Sequence, residues 1–181
     1  MKILLFNPPR SPFNSILEHA PQDARPFIHK KLIGPPLGLL TVAAAVKDFD
    51  VTVADLKGEY DLDPHAPALD VLVTNFLQAH RPDIVGVTFI ASELYAGLDI
   101  FRACKRFDPH ILTVAGGLHV TICPEDFTDP SVDVLCPGHS AGMFRELVIA
   151  RSKGLSLENI GGIIVNNNGV LQRSKSPAPA W

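Results

Sequence analysis

The chain has 181 residues, of which 46% are hydrophobic and 19% charged, a balance that excludes an intrinsically disordered protein and suits one domain with a short tail. The net charge of −3 is spread along the chain without basic or acidic runs, which excludes the basic surface that nucleic-acid binding requires. No apolar run approaches the roughly 18 residues of a membrane span, and the apolar start is too short for a signal peptide, so we expect a cytoplasmic protein without a membrane span.

Five short apolar runs rich in β-branched residues predict five strands. Each run is apolar throughout rather than alternating, which is typical of strands buried on both faces of a parallel sheet. The predicted strands cover residues 3–7, 51–55, 84–88, 111–115 and 132–136.

Helix-length segments separate these strands. Leu94, Leu98 and Phe101, for example, recur at the three-to-four spacing of a helix with one buried stripe. The predicted helices cover residues 37–47, 67–80, 93–106 and 141–152, with a short one at 124–127.

The alternation of strands and helices predicts an α/β domain of the flavodoxin-like, or Rossmann-like, class. Its five-stranded parallel sheet is expected in the order 2-1-3-4-5. Residues 162–165 and 170–172 flank an Asn-Gly pair and predict a C-terminal β-hairpin. Because ligands of such folds bind beyond the carboxyl ends of the strands, we expect functional residues directly after the strands.

Two segments lie outside this pattern. Residues 10–34 form a connection far longer than the usual βα loop of about 2–6 residues, as functional or disordered loops do. This connection contains His19 and His29, which would reach a ligand only if the loop folded back over the strands. Residues 174–181 are rich in Pro and Ala and predict a linker.

The chain offers few signs of catalysis of its own. The three cysteines, Cys104, Cys123 and Cys136, are widely spaced and predict neither a disulfide framework nor an iron–sulfur motif. No P-loop, G-x-G-x-x-G motif or Ser–His–Asp order is present. We therefore expect a domain that binds and presents a ligand.

Several segments occur in a fixed order along the chain and together carry a resemblance to a known family. The segments are Asn7-Pro8-Pro9, Gly34-Pro-Pro-Leu-Gly38, Pro82-Asp-Ile-Val-Gly86, Gly116-Gly117-Leu-His119, Pro124-Glu125 and Ile160-Gly-Gly-Ile163. In this order the chain resembles the N-terminal cobalamin-binding domain of cobalamin-dependent radical SAM proteins. It is most similar to the anaerobic magnesium-protoporphyrin monomethyl ester cyclases and related methyltransferases.

The resemblance implies a division of labour. Residues 1–173 would form the cobalamin-binding domain, and residues 174–181 would lead toward a radical SAM domain in cis. The full-length protein would use a 4Fe–4S cluster and S-adenosylmethionine for methyl transfer or oxidative cyclisation. One alternative is a cobalamin-free structural or interaction domain of the same fold, and another is a flavin or nucleotide binder, which rests on fold analogy alone.

Gly116 and Gly117 follow the fourth strand and are the first candidates for cofactor contact. Glycine lets a flat heteroaromatic group approach the backbone closely, and the resemblance implies that this pair contacts the nucleotide tail of cobalamin. The alternative is a tight turn between strand and helix. If the tail passes here, a bulky residue at Gly117 is expected to abolish cobalamin binding and leave the fold intact.

Residues after the third strand are the second group of candidates. Thr88, Phe89 and Ile90 stand where the methionine-synthase-type cobalamin fold has S-x-L, and Ser92 adds a second hydroxyl. The alternative is that Thr88 simply ends the strand and Ser92 caps the following helix.

The segment after the first strand departs from the methionine-synthase-type pattern. That fold has D-x-H-x-x-G there, and its histidine is the lower axial ligand of cobalt, whereas this chain has Asn7-Pro8-Pro9 and no histidine in register. We therefore expect cobalamin to bind with its own base displaced and without a protein histidine on cobalt. His139 stands where the family often has Glu, which leaves the role of its loop open.

The remaining candidates surround the same edge of the sheet. His119 follows the glycine pair and would donate to the nucleotide or its phosphate, and the helix that opens at Leu37 would direct free N–H groups toward the ligand. Alternatively, that helix start only packs its leucines into the core. The complete set of predicted cofactor contacts is Asn7, Pro8, Leu37, Thr88, Phe89, Ile90, Ser92, Gly116, Gly117, His119 and Gly138.

Overall fold

The computed structural model describes residues 1–9, 21–23, 34–63 and 65–174. His19, His29 and the predicted linker after Ser174 lie outside the described residues. Within the described ranges, no helix combines the length and the apolar character needed to cross a bilayer.

Seven strands form one sheet in the order β2-β1-β3-β4-β5-β6-β7, in which β1 to β5 are parallel and β6 and β7 antiparallel. The predicted order 2-1-3-4-5 is confirmed, and the predicted hairpin extends the same sheet. The strands are β1 (Lys2–Asn7), β2 (Asp50–Asp55), β3 (Ile84–Thr88), β4 (Leu112–Gly116), β5 (Val134–Cys136), β6 (Ile164–Asn167) and β7 (Val170–Arg173).

Six α-helices connect the described strands. They are α1 (Leu37–Ala45), α2 (Leu56–Leu62), α3 (Leu69–His80), α4 (Leu94–Phe107), α5 (Leu118–Ile122) and α6 (Ser140–Ser152). Short 3₁₀ turns cover Ala91–Glu93, Pro124–Phe127 and Leu157–Asn159.

The sequence did not predict the two short helices α2 and α5. The first begins because the Asp55 carboxylate, at the end of β2, accepts a hydrogen bond from the N–H of Gly58 at 3.1 Å. The expected cap at Ser92 is wrong, because Ser92 lies inside a 3₁₀ turn and α4 begins at Leu94 without a side-chain cap.

One face of the sheet is fully packed. Alternate strand residues such as Leu4 and Phe6 point toward α2, α3 and α4 and have essentially no exposed surface. Phe89, just after β3, lies at the centre of an aromatic cluster on this side. Its ring centroid is 4.9 Å from that of Phe127 and 5.8 Å from that of Phe101.

The other face is covered by α1 and α6. The alternate residues Ile3 and Leu5 of β1 pack here, together with Leu39 of α1 and Phe144 of α6. The guanidinium of Arg145, on α6, donates to the Ala45 carbonyl at 2.6 Å and to Asp48 at 2.7 Å, so the two helices are tied together. The site described below lies between these two helices and the sheet.

Candidate functional site

A cavity of about 570 Å³ opens at the carboxyl edge of the sheet, on the face covered by α1 and α6. This volume falls within the roughly 300–1,000 Å³ of small-molecule sites. Its floor is formed by the last residues of β3, β4 and β5, and its walls by α1, α5 and α6. The location agrees with the expectation that ligands of such folds bind beyond the carboxyl ends of the strands.

Missing side chains keep the floor and one wall of the cavity open. A Cβ atom on Gly116 would have nothing nearer than the Ser140 hydroxyl at 3.7 Å and the Cys136 carbonyl at 3.8 Å. A Cβ on Gly38, in the first turn of α1, would meet nothing within 4 Å. A side chain at either position would therefore occupy the cavity, and its absence leaves a cradle for a flat group.

Gly117, beside this cradle, has a different role. Its backbone has φ +100° and ψ −175°, a conformation that is essentially restricted to glycine. A Cβ there would lie 2.7 Å from the backbone nitrogen and oxygen of Phe89. A bulky residue at Gly117 would therefore strain the fold that the sequence analysis expected it to leave intact, since the turn itself favours glycine here.

Backbone hydrogen bonds hold this turn. The N–H of Phe89 donates to the Gly116 carbonyl at 2.8 Å, and the N–H of His119 donates to the Phe89 carbonyl at 3.0 Å. The end of β3 is thereby fastened to the start of α5, directly behind the cavity floor. Phe89 thus supports the site through its backbone, while its ring packs on the opposite face.

The polar groups of the cavity are uncharged hydroxyls for the most part. The hydroxyl of Thr121 donates to the Gly117 carbonyl at 3.0 Å and accepts from the N–H of Gly138 at 2.7 Å. The hydroxyls of Thr88 and Ser140 form no hydrogen bond with any described residue and are available to a ligand. Among the described lining residues there is no Asp, Glu, Lys or Arg, which suits a largely neutral ligand.

Cys136 ends β5 at the cavity floor and is inert as a nucleophile. Complete burial raises the pKa of its thiol to about 12, so the sulfur stays protonated at neutral pH.

Only part of the predicted contact set meets at the cavity. Thr88, Gly116, Gly117 and Gly138 line it. Leu37 stands next to it, at the start of α1, with 70% of its surface exposed. The structure thus brings together candidates that follow β3, β4 and β5.

The other candidates have partners elsewhere or lie outside the lining. The amide of Asn7 donates to Asp55 at 2.6 Å, which joins the carboxyl ends of β1 and β2. Pro8 is buried, whereas Ile90 and Ser92 are exposed. Neither these four residues nor Phe89 contributes to the described lining, and the contacts of all five with a cofactor stay predictions.

His119 is turned away from the cavity. Its ring contacts Phe127, with centroids 5.6 Å apart, on the packed face of the sheet. Its Nε2 atom is buried and lies 2.9 Å from a carboxylate oxygen of Asp126, although the angles are not those of a hydrogen bond. The neighbours of His119 in α5, Leu118 and Thr121, face the cavity instead.

Several lining residues were not predicted from the sequence. Gly86 lies inside β3, Thr41 and Gly38 lie on α1, and Thr121 and Ser140 lie on α5 and α6. Gly86 carried a usable signal, because a glycine inside a buried strand marks a place where another group approaches closely. The two threonines and the serine have no such signal without the position of their helices.

Comparison with known proteins agrees with this geometry. Residues 28–148 match the B12 binding domain family. The chain therefore belongs to the B12 binding domain family.

Curated relatives extend the comparison. The chain is 34% identical over 149 residues to an uncharacterized methyltransferase of Pyrococcus horikoshii, covering 81% of this chain and 31% of that protein. It is 33% identical over 76 residues to the anaerobic magnesium-protoporphyrin IX monomethyl ester cyclase of Rubrivivax gelatinosus, covering 41% of this chain and 14% of the cyclase. The chain thus spans about a third or less of the length of these relatives.

A solved structure has the same fold. The radical S-adenosylmethionine methyltransferase TsrM of Kitasatospora setae, with cobalamin and a 4Fe–4S cluster bound, superposes with a TM-score of 0.73 at 21% identity. The match covers 99% of this chain and 30% of TsrM. The predicted family and fold are confirmed.

Proposed function

We propose that this chain holds cobalamin at the carboxyl edge of its sheet, with the nucleotide tail of the cofactor inserted into the cavity. The observation that carries the proposal is the open cradle at Gly116, where a flat group has room between the sheet and α6. When bound, cobalamin supplies a cobalt centre that accepts and donates a methyl group. The protein contributes binding, orientation and exclusion of water.

The apolar walls provide most of the binding free energy. Leu39 and Val42 of α1 and Phe144 of α6 face the cavity, and burying the dimethylbenzimidazole ring among them removes apolar surface from water at about 25 cal/mol per Å². The hydroxyls of Thr88 and Ser140 provide hydrogen bonds to the polar atoms of the tail. These contacts fix the orientation of the cofactor.

We further infer that cobalt has no histidine ligand from this domain. The support comes from the segment after β1, where Asn7 and Pro8 stand in place of the motif that carries the axial histidine. In the described part of the chain, His139 is the one histidine of the cavity lining. It precedes α6 rather than following β1.

Electron paramagnetic resonance of the bound cob(II)alamin tests this axial arrangement. We expect a base-off spectrum without nitrogen superhyperfine coupling. If the wild type shows nitrogen superhyperfine coupling and the His139→Ala variant does not, His139 is the ligand of cobalt and the proposal is refuted.

We place the chemistry of the whole protein in a second domain. Residues 1–173 would be the cobalamin-binding domain, and residues 174–181 a linker to a radical SAM domain with a 4Fe–4S cluster and S-adenosylmethionine. The support is that the chain matches about a third of a methyltransferase and a smaller part of a cyclase. The reaction would be methyl transfer or oxidative cyclisation, and the present chain alone would not catalyse it.

Titration of the purified chain with hydroxocobalamin tests the binding proposal. We expect one equivalent of cobalamin to bind with a dissociation constant of about 1 µM or lower, which corresponds to a binding free energy of about 8 kcal/mol. The bound cobalamin should co-elute with the protein in gel filtration. Failure to retain cobalamin under both oxidising and reducing conditions would favour the cobalamin-free alternative.

A further inference from the structure

A cluster of three metal-ligating side chains lies behind the cavity wall, outside the site described above. A ring nitrogen of His119, the Sγ atom of Cys123 and a carboxylate oxygen of Asp126 are all within 4.8 Å of one another. They occur at the spacing H-x-x-x-C-x-x-D, across α5 and the following 3₁₀ turn. We refer to these three residues as the His–Cys–Asp cluster.

Packing fixes the position of the His119 imidazole in the absence of a metal ion. His119 has 12% of its side-chain surface exposed, and its ring rests against buried Phe127. Its Nε2 atom is fully buried and has no hydrogen-bond partner. A buried polar atom without a hydrogen bond is costly, and here that atom lies 2.9 Å from a carboxylate oxygen of Asp126.

The backbone fixes the other two members relative to this imidazole. The N–H of Cys123 donates to the His119 carbonyl at 2.8 Å, and the N–H of Asp126 donates to the Cys123 carbonyl at 3.2 Å. The three residues therefore belong to one hydrogen-bonded stretch of backbone. Cys123 is partly exposed and the Asp126 side chain is 44% exposed, so an ion has access from solvent.

We propose that the His–Cys–Asp cluster binds one Zn²⁺ ion. Imidazole nitrogen, thiolate sulfur and carboxylate oxygen are the three ligand types that zinc takes in proteins. A tetrahedral Zn²⁺ with bonds of about 2.0–2.3 Å needs its ligand atoms roughly 3–4 Å apart, close to the separations of at most 4.8 Å found here. Water completes the fourth position.

The bound ion clamps α5 to the 3₁₀ turn. This helix has only five residues, and it carries Leu118 and Thr121 on the cavity side. Because a helix this short is not stable alone, a metal on its opposite side fixes the cavity wall. This proposed zinc site does not depend on cobalamin being the ligand of the cavity.

Zinc binding to the 181-residue chain is measured by competition with a chromophoric chelator. We expect one equivalent of Zn²⁺ per chain, and affinity at least about tenfold lower in Cys123→Ser and in Asp126→Asn, since even outer-shell changes cost about 10–100-fold. The matched control is Glu125→Gln, which removes a neighbouring exposed carboxylate and leaves zinc affinity unchanged.

Thiol alkylation of the wild type provides a test that needs no variant. Burial raises the pKa of both Cys104 and Cys136 to about 12, so the native protein presents Cys123 as its reactive thiol. We expect stoichiometric Zn²⁺ to slow alkylation of Cys123 at least about tenfold, with reversal by a chelator. Alkylation at the same rate with and without Zn²⁺, or zinc affinity equal in all three variants and the wild type, would overturn the proposal.

Discussion

The two faces of the sheet use glycine in opposite ways. On the packed face, the space beside Gly97 of α4 is filled, because a Cβ there would lie 2.1 Å from the ring of Phe89. On the cavity face, the space beside Gly116 is open, with the nearest atom at 3.7 Å. One glycine therefore lets a core aromatic pack, and the other leaves room for a ligand.

This difference separates stability from binding within one small domain. The aromatic cluster around Phe89 lies entirely on the packed face, where its packing stabilises the folded state. On the cavity face, the carboxyl ends of the strands are less tightly packed, and the open space there forms the ligand site. Substitutions on the two faces should therefore change different measurements.

The largest effect is expected from Phe101→Ala on the packed face. Phe101 has no exposed surface, and removing a buried phenyl ring costs about 3–5 kcal/mol of unfolding free energy. Urea denaturation measures the loss. The control is Tyr95→Ala on the same helix, which is 77% exposed and should change the unfolding free energy by less than about 0.5 kcal/mol. Equal effects at the two positions would contradict the account of the packed face.

Gly117→Leu tests the boundary between the two faces. The strained φ and the contact with the Phe89 backbone predict a loss of about 1–3 kcal/mol of unfolding free energy, measured by urea denaturation. The result distinguishes a residue needed by the turn from one needed only by the ligand. A variant as stable as the wild type would restore the sequence-based expectation that this glycine serves the cofactor.

Gly116→Leu fills the cavity one residue earlier. The new leucine side chain occupies the space proposed for the nucleotide tail. A steric cost of about 1–3 kcal/mol for binding the tail corresponds to a roughly 10- to 100-fold loss of cobalamin affinity. Cobalamin titration measures the affinity, and urea denaturation should show a smaller loss of stability than in Gly117→Leu. Ala44→Leu, which adds similar volume at an exposed position of α1, is the control. Affinity unchanged by Gly116→Leu would place the tail outside the cavity.

The smallest effect concerns an ion pair on the packed side. Arg102 of α4 donates to Asp129 at 2.6 Å. Burial acts to raise the pKa of Asp129, but hydrogen bonds from Ser131 and Arg102 together hold it below its ordinary value. A carboxyl with a lowered folded-state pKa stabilises the fold above its unfolded value of about 3.9, and this stabilisation is lost as the pH falls through the folded value.

Asp129→Asn should therefore cost up to about 1 kcal/mol at neutral pH. In denaturation curves measured across the acid range, the difference from the wild type should shrink as the wild-type carboxyl becomes protonated. Asp99→Asn, at the more exposed partner of the same arginine, is the control with a smaller cost. A difference that grew toward low pH would show that Asp129 is destabilising when ionised.

The regular part of the fold was predictable from the sequence. The five apolar runs gave the strands and their order, and the Asn-Gly pair gave the hairpin turn, where Asn168 and Gly169 both have positive φ as a type I′ turn requires. The short helix α2 was not predictable from periodicity, since it depends on a cap by Asp55 and spans only seven residues.

The candidate site was predictable only in part. Residues that directly follow strands, such as Thr88 and Gly116, could be found because parallel strands deliver their carboxyl ends to one edge. The side-chain direction at His119 could not, because it depends on how α5 leaves the Gly117 turn. Thr121 and Ser140 face the cavity only through helices whose orientation the sequence pattern does not specify.

The central claim is that the cavity at Gly116 receives the nucleotide tail of cobalamin. Competition between cobalamin and cobinamide, which has the corrin ring but lacks the nucleotide tail, tests it most directly in the wild type and in Gly116→Leu. We expect the wild type to prefer cobalamin by at least about tenfold, or about 1.4 kcal/mol, and Gly116→Leu to lose that preference. Equal affinity of the wild type for the two corrinoids would contradict the claim.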